Sequence, residues 1–134
     1  MFDQLVSLLQ RQVAALDAVE SRLRALELLL AADEQRFVSQ AMAELEQATE
    51  RLAALELGRA LVLSSAGLDV DAPARELEAR VDEDVAGLFH EVVERLRTAT
   101  ERVGDARTRA YAALAPGAED LRQRLVATEA YAGV

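Results

Sequence analysis

The chain contains no cysteine, lysine, asparagine or tryptophan. Without Cys, disulfides and thiolate metal sites are excluded, and the redox compartment stays open. Two Pro and six Gly leave little punctuation for a many-turned β fold. Aromatic residues are 4% of the chain, so its core has to be aliphatic. No apolar run approaches the ~20 residues that cross a bilayer. The opening Met1-Phe2-Asp3-Gln4 lacks the basic n-region of a signal peptide. A cytosolic protein is therefore the expectation.

What is present favours helix. Hydrophobic residues are 51% and charged residues 29%, a mixture that excludes a disordered tail. A length of 134 residues fits one domain, large enough to bury a core without staples. Alanine is abundant, and Leu, Glu, Gln and Arg fill most other positions, all of them good helix formers. The net charge of −9 argues against nucleic acid, which needs a positive surface. The charge is uneven: residues 1–94 carry 8 Arg against 19 Asp/Glu, whereas residues 95–134 carry 7 Arg against 5 Asp/Glu.

An apolar row repeats every seven residues through Phe2, Leu9, Leu16, Leu23, Leu30 and Phe37. Leu5, Val19 and Leu26 run beside it, interrupted by Gln12. Such spacing predicts a long helix in a coiled-coil-like seam. From residue 38 the rows change register to Val38, Leu45, Leu52 and to Ala41, Ala48, Leu55, Val62. This predicts a tight turn near Phe37–Ser39, with Ser39 as N-cap, and a second helix ending before Gly67 as the C′ residue; a continuous helix with a four-residue stutter is the competing reading. Leu68 to Pro73 reads as a linker, and Pro73 suits the first turn of a third helix. That helix's apolar face runs Leu77, Val81, Val85, Leu88, Val92, Leu96, Ala99, Val103, Ala106, Ala110, Leu114, thinning from Leu and Val to Ala. Pro116-Gly117 breaks it. A short last helix through Leu121, Leu125 and Val126 is expected before the end.

Catalytic constellations are missing. His90 is the only histidine, and no Gly-x-Ser-x-Gly elbow surrounds Ser64-Ser65. A di-iron bundle needs two Glu-x-x-His motifs, and position 87 is Gly. His90 with Glu91 and Glu94, and the cluster Glu76, Glu78, Asp82, Glu83, Asp84, read as solvated helix faces rather than metal sites. The chain is expected not to be an enzyme and to need no cofactor or metal.

One resemblance can be traced. Leu26-Glu27-Leu28-Leu29-Leu30, Asp33-Glu34-Gln35-Arg36-Phe37-Val38, Glu44-Leu45-Glu46 and Leu52 to Leu63, closing on Ala66-Gly67-Leu68, resemble the FlgN family of flagellar type III export chaperones. The similarity spans roughly residues 5–70. Its most specific piece is Leu55-Glu56-x-x-Arg59, followed by Ala-Gly-Leu. The Ala/Arg bias fits a GC-rich bacterial source. The resemblance implies a cytoplasmic helical-bundle chaperone that holds the C-terminal part of the hook–filament junction proteins FlgK and FlgL and delivers them to the flagellar export gate. Family members often carry an Asn and a Leu pair late in the third helix; here Val103 to Ala110 holds neither. A tail tyrosine near a glycine is linked to gate docking in the family, which makes Tyr131, beside Gly133, the docking candidate.

The expected fold is all-α: a long antiparallel helical hairpin plus a third long helix, with a short C-terminal helix or tail. One domain covers 1–134, with helices at about 3–37, 40–66 and 73–114 and a tail at 115–134. The expected client-binding residues are Val103, Tyr111, Leu114, Leu121, Leu125 and Val126, in a segment, 103–134, whose thin stripe predicts ordering only on a client. The alternatives are that this segment folds back to complete the bundle, and that the chain is a structural or regulatory coiled-coil protein unrelated to secretion. Pairing of two copies into a homodimer stays open.

Overall fold

The computed structural model describes residues 1–129. Every described element is helical: α1 Phe2–Ala31, α2 Gln35–Ser65, a 3₁₀ helix η1 Ala74–Arg80, α3 Glu83–Ala113 and α4 Glu119–Glu129. Among the described residues there is no strand, as the seven-residue spacing required.

The heptad row forms the spine. Leu5, Leu9, Leu16, Val19 and Leu23 on α1 are fully buried, and Leu26 almost so. They meet Val38, Met42, Leu45 and Leu52 of α2 across an antiparallel hairpin. An Arg22–Glu44 ion pair at 2.9 Å and the contact of Leu8 with Gly58 mark its register. Leu30, Leu55 and Val62, also expected in the core, are only half-buried.

The hairpin turn lies earlier than the spacing suggested, at 32–34. Asp33 adopts φ 54°, the left-handed conformation. Its N–H bonds to Leu30 O, and the N–H of Glu34 bonds to Leu29 O. This pair of bonds closes the helix as a Schellman motif, a position where a short polar side chain substitutes for Gly. Phe37 and Ser39 consequently belong to α2, both facing solvent, and Ser39 is not a cap. The second turn matches its prediction: Gly67 has φ 72°, and Leu68 N–H reaches Leu63 O at 2.9 Å.

The third helix is divided. η1 buries Ala74 and Leu77, which 3₁₀ spacing places on one face. The chain then extends at Val81 and Asp82 and restarts as α3. The interruption shifts the face, so Phe89 is fully buried where Leu88 was expected, and Leu88 is 48% exposed. Phe89 meets Phe2 edge-to-face, with ring centroids 6.1 Å apart. The start of α3 therefore lies beside the start of α1, and the two helices run parallel.

α1 packs extensively on both α2 and α3, whereas α2 and α3 scarcely meet. The alanine stripe explains the first half of this. Ala99, Ala106 and Ala110 are buried, and small side chains let helix axes come close. A thin stripe thus packs well without large groups, and residues 103–113 complete the bundle core rather than forming an unpaired tail. After Pro116 and Gly117, the latter at φ 86°, the chain turns back as α4, against α2 and α3. The buried apolar side chains of all these elements form one cluster.

Candidate functional site

Because α2 and α3 stand apart, a groove runs between them. η1 covers one end and α4 the other. Between the two lies an open stretch of about 590 Å³, lined by Arg59, Ala74, Val93, Leu96, Arg97 and Thr100 among others. The C-terminal half of α2 contributes Arg59 to this lining. From Leu55 to Val62 it buries no side chain completely, and Leu57 and Leu61 face solvent.

Arg59 of the Leu55-Glu56-x-x-Arg59 pattern lines this groove, and Glu56 lies close by on α2. Arg59 Nη2 donates to the carbonyl of Ala72 at 3.0 Å, tying the linker to α2. Burial lowers the Arg59 pKa, and Glu56 nearby opposes that shift. Burial also pushes the Glu56 carboxyl up to about 7, with Arg59 pulling the other way. Glu56 Oε1 is buried and has no hydrogen-bond partner. Gln12, the residue that interrupts the α1 row, is fully buried, and neither of its amide atoms has a partner. The buried polar side chains among the described residues are Gln12, Thr49, Arg107 and Thr128.

At the other end of the groove, side-chain bonds hold α4. Arg107 is 8% exposed, and its Nη1 donates to Thr128 Oγ1 at 2.6 Å. Thr128 in turn donates to Leu125 O. Tyr111 OH donates to Glu129 Oε1 at 2.7 Å. Burial and then this bond push the tyrosine pKa up to about 12. Arg124 pairs with Glu46 of α2, and this hydrogen bond raises the Arg124 pKa. The apolar anchorage is slight by comparison: Leu125 is fully buried and Leu121 half-buried.

The expected contact residues divide accordingly. Val103 and Leu125 are core, so neither is available to a client in this arrangement. Tyr111, Leu114 and Leu121 are half-buried around α4, and Val126 is 50% exposed. Tyr131 lies outside the described residues. Sequence reasoning missed Arg107, although its spacing marks it: four residues after Val103 and three before Ala110, it stands on the buried face of α3.

His90 is exposed and 3.4 Å from Glu78. Among the described residues no group of three or more His, Asp or Glu is arranged to hold a metal ion. Nor is any helix among them long and apolar enough to cross a membrane. No protein-family model matches the sequence, and comparisons with curated proteins and with solved structures return no match.

Proposed function

We propose that this chain is a cytoplasmic export chaperone of the FlgN type, without catalytic activity, that holds the C-terminal segment of the hook–filament junction proteins FlgK and FlgL and brings them to the flagellar export gate. One observation carries the reading. Arg59, from the most specific part of the resemblance, lines an unfilled groove beside α3, with Glu56 close to it on α2. A groove of this kind takes an amphipathic client helix without any cofactor. The net charge of −9 over the whole chain keeps the chaperone itself dispersed.

Titration calorimetry with the C-terminal segments of FlgK and FlgL from the same organism tests this. Binding of at least one segment at tens of micromolar or tighter is expected, roughly the range of transient contacts. Absence of heat and of co-elution with both segments overturns it. A self-associating or regulatory coiled-coil protein is the second reading, favoured by the exposed Leu57 and Leu61.

A further inference from the structure

The contacts of α4 are those of a replaceable helix. It presents Leu121, Arg124, Leu125 and Thr128 to the bundle, the i, i+3, i+4, i+7 face by which one amphipathic helix docks on others. Of these, only Leu125 and Thr128 are buried. Glu46 receives the Arg124 guanidinium, an ion pair at half-exposed positions.

Arg107 is the unbalanced member. Its guanidinium is withdrawn from water, and burial lowers its pKa. Glu129 supports its charge without a hydrogen bond to it, and its Oε1 accepts from Tyr111 OH. What Arg107 holds directly is the neutral hydroxyl of Thr128, and its Nη2 has no partner among the described residues. A buried guanidinium without a paired carboxylate is costly, and a planar fork satisfied at one prong is an incomplete contact. The natural complement of that fork is a carboxylate, which accepts two parallel N–H bonds.

We infer that α4 holds, in cis, the docking place of a partner's amphipathic helix, one that presents a large aliphatic side chain at the Leu125 position and, three residues on, an Asp or Glu for Arg107. Such a helix fills the same apolar site and supplies a carboxylate bonded directly to Arg107, so it displaces α4 rather than adding to it. α4 meanwhile shields Leu-sized apolar surface and the Arg107 charge until a partner arrives. The inference rests on the chaperone reading for the nature of the partner, a protein helix, but not for its identity.

The probe is a labelled peptide of residues 115–129, in its own sequence and with Thr128→Asp, titrated against the full chain. The Thr128→Asp peptide is expected to bind at least about tenfold more tightly, the scale of one charge-assisted contact. Arg107→Met in the chain is expected to erase the difference. Hydrogen exchange in the α4 amides of the chain is expected to speed up when this peptide is bound. Thr128→Asp in the full chain supplies the carboxylate in cis, so it should raise the melting temperature and weaken peptide binding about tenfold or more. If Arg107→Met does not fold, this second variant, which keeps Arg107, decides. Equal affinity of the two peptides, no binding of either near about 1 mM, or unchanged α4 exchange at saturation overturns the inference. FlgK or FlgL segments that bind without loosening α4 also overturn it and leave the chaperone reading standing. Peptide exchange with no binding of either segment removes only the chaperone reading.

Discussion

Glu56 shows how far a single polar group departs from its ordinary chemistry when a helix face is only partly covered. Its carboxyl is pushed up to about 7 by burial, against a usual value of 4.5. Below that usual value the group is neutral in both folded and unfolded chain, and it costs nothing. Between pH ~4.5 and ~7 the unfolded chain releases the proton while the folded chain retains it, so the fold loses stability as pH rises through this window. Glu56→Gln, neutral throughout, should therefore match the parent near pH 4.5 and exceed it above pH 7. Solvent screening at a half-exposed site reduces the effect to about 1 kcal/mol. Urea unfolding of both proteins at the two pH values measures this, and a difference that does not grow with pH contradicts it. Gln12 was legible in the sequence as an interruption of an apolar row. That Glu56 also has a buried, unpartnered carboxyl oxygen was not, because the covering of an α2 side chain depends on what packs against it. Arg107 was masked in the same way, its buried position signalled only by its spacing from Val103 and Ala110.

At the scale of elements, the periods were readable and the joints were not. Leu9, Leu16 and Leu23, and Leu45 and Leu52, sit in the core where their spacing put them. The turn at Asp33 escaped because a non-glycine residue took the left-handed position, which carries no strong composition signal. The division of the third helix at Val81–Asp82 did leave a trace, an Asp followed by Glu83-Asp84 in the first turn of α3. The fate of the last segment was hidden for a different reason: the alanines of α3 gave no hint that close approach to α1 would bury them. α4 is the element with the least hold. Its one fully buried apolar side chain, Leu125, contributes about 1.5–3 kcal/mol, and its ion pair to Glu46 about 0–1 kcal/mol. A chain ending at Leu114 should thus keep its helical circular dichroism and unfold cooperatively, losing about 2–4 kcal/mol in urea. Loss of the folded signal on this truncation would make α4 part of the core.

For the whole molecule, the arrangement around α1 decides whether the chain works alone. α1 is covered on two sides by α2 and α3, so the long heptad row is used up within one copy. No leucine seam remains for a second chain to extend. Leu28, Phe37, Val70, Leu88 and Val126 are exposed elsewhere on the bundle, and one patch lies at the end where α1 starts and α2 stops: Met1 at 47% exposure, Leu57 at 63% and Leu61 at 61%. At roughly 100 Å² each, these side chains offer on the order of 300 Å² per copy, about half of the ~600 Å² that each partner contributes to the smallest stable interfaces. Two copies of a chain of net charge −9 also repel one another, only partly screened across the ~8 Å Debye length of physiological salt. The chain should therefore sediment as a monomer, with a coefficient that stays constant from roughly 5 to 500 μM, the range that reveals weak dimers. The double substitution Leu57→Ser and Leu61→Ser should leave that coefficient unchanged. A coefficient that climbs with concentration in the parent and stays flat in the double variant would assign the patch to self-association, and with it favour a structural coiled-coil protein over a chaperone.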